Sequence, residues 1–173
     1  GDEGIHPTTA ERLTKLKPVK EGGTVTFAGQ THPADGNAGM IITTADKARE
    51  LSTDRKVRIS FRGFGQARVD MAWMPYAPVP AARRALQAAG IGIKDVAAIK
   101  SHNPFAVNDI IFGKEMNIDA MGINNYGCSL IWGHPQGPTG MRAVMELIEE
   151  LVLKGGGYGL FHGCAAGDSA MAV

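Results

Sequence analysis

The 173-residue chain reads as an α/β protein built around a layered sheet. Three observations predict this. Short runs of strand composition alternate with segments whose apolar residues recur at helical spacing. Glycines, 23 in all, gather at the joints between those segments and form no repeat. Reactive side chains cluster just after predicted strands, where open α/β sheets place their ligands.

Thr8 or Thr9 is placed to cap a short helix reaching Leu16, with Glu11 completing a capping box. Residues 1–22 read as a polar lead-in and residues 23–173 as the domain proper. Thr24–Ala28 has strand composition, and Ala38–Thr44 predicts a second, buried strand. Ala45–Leu51 reads as a short helix, followed by an alternating strand over Lys56–Gly63. Pro78 and Pro80 suit a helix start, Val79, Ala82, Leu86 and Ala89 share its face, and Gly90 ends it. Val96–Ser101 predicts a strand running into His102, and Val107–Met116 a helix. The strongest helix spans Gly140–Lys154, with Met141, Val144, Met145, Ile148, Leu151 and Val152 as its apolar face. Glu150 and Lys154 are spaced to pair along it, and Gly155–Gly157 stop it. Tyr158–Phe161 and Ala170–Val173 close the chain as strands.

Composition narrows the function. A net charge of +1 without a concentrated basic face argues against a nucleic-acid binder. No apolar stretch approaches the ~20 residues that cross a bilayer, and Gly1–Lys20 lacks the apolar core of a secretory signal. Two cysteines, Cys128 and Cys164, make no disulfide framework, so reduced thiols in a cytoplasmic protein are expected. The five histidines fit no familiar ligand spacing, so no metal is expected.

Three loops carry the reactive groups: Ser101-His102-Asn103-Pro104-Phe105; Asn124–Ser129 running on to Gly133-His134-Pro135-Gln136-Gly137-Pro138-Thr139-Gly140; and Gly163-Cys164-Ala165-Ala166-Gly167-Asp168. His134 lies in a stiff turn before a helix N-terminus, whose dipole favours a neutral imidazole. Such a ring accepts a proton from a thiol or steadies an oxyanion. A thiol beside a histidine, as Cys164 would be, acts as nucleophile or proton carrier; a buried packing cysteine is the plainer reading. Strand alternation puts His162 on the same face as Cys164, where it either tunes the thiol or packs.

The run from Ile123 to Arg142 resembles the thiolase pattern Gly-His-Pro-x-Gly-x-(Thr/Ser)-Gly-x-Arg with its upstream asparagine. Gly155–Leu160 and Cys164 resemble the closing strand and hairpin of that family. Leu13–Pro18, Gly23–Thr26, Asp35-Gly36 and Pro78–Ala81 follow in family order, so the resemblance spans nearly the whole chain. It implies a thiolase-like layered fold, of which this would be the C-terminal βαβαβαββ half with a mixed five-stranded sheet. The lead-in would then be the end of a loop domain.

The resemblance also implies a chemistry. His134 matches the histidine that activates a nucleophile and lines an oxyanion hole, and Cys164 the acid/base that moves the α-proton of an acyl-CoA. His102 falls on the asparagine of the N-E-A-F motif, as in sterol-carrier-type and trifunctional-enzyme thiolases. Pro104 and Phe105 match the pantetheine channel, Thr31 a serine near coenzyme A, and Ala166 and Gly167 a second oxyanion site. An enolate formed beside a thioester needs fixed donors, which two imidazoles would supply. Coenzyme A would be a substrate, with no tightly bound cofactor. The nucleophilic cysteine belongs to an N-terminal half, expected as a separate chain. An oligomer of the assembled unit, acyl-CoA as partner and a place in β-oxidation or related lipid metabolism follow.

Four positions depart from the family: Ala166 and Cys128 stand for glycines, His32 for a glycine, and Trp132 for a small aliphatic residue. These changes point to a substrate other than plain acetoacetyl-CoA. The competing reading is a non-catalytic thiolase-like subunit that binds an acyl-CoA or a partner.

Overall fold

Residues 5–173 are described by a computed structural model. Four strands form one sheet: β1 (Gly65–Arg68), β2 (Val96–His102), β3 (Tyr158–Ala165) and β4 (Ser169–Ala172), in the order β1-β4-β3-β2. β2 and β3 run parallel, with His102 opposite Gly163; β3–β4 and β4–β1 are antiparallel. The sheet is mixed as expected but has four strands rather than five. The stretch before Ser129 cannot extend a strand, because Asn124 (φ 57°), Tyr126 (φ 71°) and Gly127 (φ 109°) are all left-handed.

The helices are α1 (Ala10–Thr14), α2 (Ala45–Leu51), α3 (Pro78–Ala89), α4 (Ala106–Met116), α5 (Ser129–Trp132) and α6 (Thr139–Leu153). Thr9 caps α1 through the Arg12 amide; Glu11 forms no capping box and pairs instead with Lys15. Two prolines open α3, which buries Val79, Ala82 and Leu86 and ends at left-handed Gly90. The Glu150–Lys154 pair closes at 3.6 Å.

Side chains of β3 alternate between two helix layers. Gly159 and Phe161 meet α6, whereas His162 stacks on Phe112 of α4 with ring centroids 3.7 Å apart. Between sheet, α3 and α4 lies the core of Val79, Ala82, Leu86, Ile99, Phe112 and Leu160.

Three strand expectations fail. Thr24–Ala28 has no ladder partner, and Phe27–Gly29 is a 3₁₀ turn. Ala38–Thr44 is not buried: Ile41 is 80% exposed. Lys56–Gly63 is unpaired: strand composition states a preference that the tertiary context does not realise here. Conversely, β1 has no β-branched residue and was not expected. On α6 the buried face is Thr139, Ala143, Leu147 and Glu150, not the predicted stripe, whose Met141, Met145 and Val152 are exposed.

Gly65 is where the sheet touches α3: a Cβ there would sit 2.1 Å from the Ala81 carbonyl oxygen and 2.7 Å from the Ala85 amide. Backbone cannot yield as a flexible side chain does, so Gly65→Val should cost about 3 kcal/mol or prevent folding. Urea denaturation checks this; an unchanged midpoint would show that β1 and α3 are not in contact.

Candidate active site

β2 carries a continuous row of buried polar residues toward its carboxyl end: Lys100, Ser101 and His102, then Asn103 beyond it. Unpaired, such a row would be costly. Most of its polar groups find partners outside the strand. Ser101 Oγ donates to Asp109 Oδ1 at 2.6 Å, and Asn103 Nδ2 and Asn124 Nδ2 donate to Asp109 Oδ2. The Ser101 amide donates to Asn124 Oδ1 at 2.7 Å. Burial raises the Asp109 pKa, and these three side-chain donors oppose that rise. On the α6 side, Lys100 Nζ donates to the Asn125 carbonyl and faces Glu150 at 3.8 Å and Glu146 at 3.9 Å.

Held between these two networks, His102 stacks on His134 with centroids 4.2 Å apart and planes 29° from parallel. A hydroxyl holds each ring: Ser129 Oγ lies 3.0 Å from His102 Nδ1, and Thr139 Oγ1 lies 2.8 Å from His134 Nδ1. Both hydroxyl residues are 1% exposed. Neither Nε2 is among the buried unpartnered atoms. Burial is the main cause that lowers the His102 pKa to about 4, with His134 and Arg142 adding repulsion. Burial likewise lowers the His134 pKa.

A strap from the first third of the chain fixes the His134 turn. The His134 amide donates to the His32 carbonyl at 2.9 Å, and the Thr31 amide to the Pro104 carbonyl at 2.8 Å. Thr31 Oγ1 donates to the Ser129 carbonyl. Gly133 (φ 80°) permits the crossing: a Cβ would meet Ala34 Cβ at 2.6 Å. Thr31 therefore clasps the His102 and His134 loops together. Beside it a groove of about 810 Å³ is lined by Phe27, Thr31, His32, Ile131 and Trp132.

Cys164 lies one residue past Gly163, the register partner of His102. Its thiol is turned toward α4, where Asn108 Nδ2 approaches Sγ at 3.6 Å, while the imidazoles lean on α5 and the start of α6. The two groups thus flank the carboxyl ends of the parallel strands. Burial raises the thiol pKa, partly offset by hydrogen bonds from its own backbone and Asn108. Cys128 and Cys164 are free. Phe105 directly precedes α4, and half-buried Pro104 is held through its carbonyl by Thr31. Ala166 and Gly167 lie in the exposed turn after β3. Among the described residues no three His, Cys, Asp or Glu side chains are placed to hold a metal ion, and no helix is long and apolar enough to cross a membrane.

Sequence reasoning did not single out Ser129, Thr139, Asp109 or Asn108 for these contacts. The available signal was a density of polar residues on a strand bound for the core.

Three comparisons with known proteins match this architecture. The family model described as "Thiolase, C-terminal domain" matches residues 55–173. The acetyl-CoA acetyltransferase of Pseudomonas aeruginosa is 34% identical over 167 residues, covering 96% of this chain and 42% of that protein. The human mitochondrial 3-ketoacyl-CoA thiolase is 33% identical; its crystal structure superposes with a TM-score of 0.89 over 99% of this chain and 43% of its own, and it has also been solved in complex with CoA. The Bacillus anthracis acetyl-CoA acetyltransferase follows at 30% identity and a TM-score of 0.88. The chain belongs to the thiolase family. It spans less than half the length of these relatives.

His162, fully buried with both ring nitrogens unpartnered, gives an acid-stability test. Burial lowers its pKa to about 3, so the unfolded chain takes up its proton first as pH falls. Its contribution is whole above about 6.5 and is lost toward pH 3, at about 1.4 kcal/mol per pH unit. His162→Leu should flatten that decline in urea titrations between pH 6 and 4; an identical slope would contradict burial of a neutral ring.

Proposed function

We propose that this chain is the C-terminal part of a thiolase that cleaves a β-ketoacyl-CoA with coenzyme A, or runs the reverse condensation, through an acyl-cysteine intermediate. The stacked, neutral imidazoles carry the reading. In a neutral ring, each Nδ1 engaged by a hydroxyl leaves Nε2 open to work on substrate. His134 Nε2 takes the proton of the attacking thiol and returns it. His102 Nε2–H donates to the thioester oxygen as the enolate forms, where a fixed donor strengthens with developing charge. Cys164 moves the α-proton from the far side of the strand ends. The groove beside Thr31 receives the pantetheine arm, with Pro104 and Phe105 along its path and the Ala166–Gly167 turn as second oxyanion site.

The nucleophilic cysteine comes from an N-terminal half. Its contact face is the outer side of α6, where Met141, Met145 and Val152 are exposed, as are Ile59 and Phe61 of the preceding extended segment. A groove of about 350 Å³ between Arg58–Gly63 and α6 continues that apolar surface. Residues 1–22 close the loop domain, residues 23–173 complete the catalytic one, and the assembled unit forms a homo-oligomer. Two free thiols suit a reducing compartment such as the cytoplasm. Trp132 folds over Gly127, where a Cβ would lie 2.1 Å from its Nε1, and this wall shapes the site for a substrate other than acetoacetyl-CoA.

His134→Ala in the assembled protein should lower kcat for β-ketoacyl-CoA cleavage by about 10²–10³-fold. Turnover at the wild-type level would favour a subunit that only binds. A panel of β-ketoacyl-CoAs should place acetoacetyl-CoA below longer or branched substrates; finding it the best would overturn the role given to Trp132.

A further inference from the structure

Asn108 is 1% exposed at the third position of α4, far from any surface that would welcome an amide. Its orientation is decided by a partner that can only donate. The Phe105 backbone N–H reaches Asn108 Oδ1 at 3.3 Å, so the opposite end of the amide, the NH₂, is the one that faces Cys164 Sγ at 3.6 Å. A thiolate is a far better acceptor than a thiol, so an N–H aimed at sulfur favours the charged form. The surrounding groups supply no cation. His162, two residues before Cys164, is buried and stacked on Phe112, and burial holds it neutral. His102 on the adjacent strand is neutral near pH 7. Asp109, next to Asn108, is engaged by Ser101, Asn103 and Asn124. Against a thiol that burial drives toward its protonated form, Asn108 is the side-chain donor that reaches the sulfur.

We propose that Asn108 is a positioning residue that orients the Cys164 sulfur and holds it within reach of its thiolate form. This rests on the proposed role of Cys164 as the proton carrier of the thiolase reaction, and it adds a polar group on α4 to that machinery. The Asn108 amide also couples the sulfur to the Pro104–Phe105 turn, because the same side chain caps the backbone of Phe105. Substrate contacts on that turn would therefore be felt at the thiol.

The test is the pH dependence of iodoacetamide alkylation at Cys164 in the full protein, resolved from other cysteines by peptide mass spectrometry. Asn108→Ala should move the inflection upward by about one pH unit and slow alkylation about tenfold below it. Asn108→Ser keeps an oxygen for the Phe105 N–H, adds no charge and lacks the NH₂ aimed at the sulfur, so it should raise the inflection in the same direction. The sign excludes a merely structural role: a cavity that admitted water would ease desolvation and lower the inflection. An unchanged or lowered inflection in either folded variant overturns the proposal. Should Asn108→Ala fail to fold, Asn108→Ser decides alone. If the inflection rises while turnover of the assembled enzyme is unaffected, the hold of Asn108 on the sulfur stands and the proton-carrying role of Cys164 falls.

Discussion

Two imidazoles 4.2 Å apart can stay together only if at most one is charged. At an effective dielectric near 20, two imidazolium ions at that distance would repel by about 4 kcal/mol, a large share of what holds a small domain folded. Burial resolves the conflict by keeping His102 neutral until about pH 4. The hydroxyls of Ser129 and Thr139 suit such a pair better than carboxylates would. A hydroxyl both donates and accepts, so it holds a ring without adding the proton that a carboxylate would draw in.

The rest of the structure explains how such a pair is kept in place. One side of β2 is tied through Ser101 to Asp109 and Asn124, and the other through Lys100 to Glu146 and Glu150. These networks join β2, α4, α6 and the Asn124–Tyr126 turn, elements far apart in sequence. A strand pinned on both faces presents its last residue, His102, at a fixed height. The strap from Thr31 to His32 then fixes the His134 turn against it. Buried networks of this kind gain most when every member is paired, and here nearly all are: Asn103 Oδ1 and Glu150 Oε2 are the members without a hydrogen bond among the described residues.

Much of this was legible in the chain, and the failures have physical causes. The α3 boundaries follow from prolines at the start and Gly90 at the end, which act locally and need no tertiary knowledge. His102 and His134 were read from their loops, and the structure stacks them. The strands over residues 24–28, 38–44 and 56–63 were misread because β-branched composition states only a preference, which tertiary context overrides. β1 was invisible for the opposite reason: Gly-Gln-Ala-Arg pairs with β4 because small residues let α3 approach. The apolar stripe of α6 was correctly seen as apolar, yet part of it faces outward, as a helix with a second packing partner would require. Ser129 and Thr139 escaped notice because a hydroxyl signals little until the ring it holds has been located.

The charge state of the stacked pair is the claim on which the chemistry stands. Long-range ¹H–¹⁵N correlation spectra of the imidazole rings, recorded from pH 8 down to pH 4, measure it directly. The account predicts both rings neutral at pH 7 and His102 still unprotonated at pH 5. A ring at position 102 or 134 that is protonated at pH 7 would contradict it.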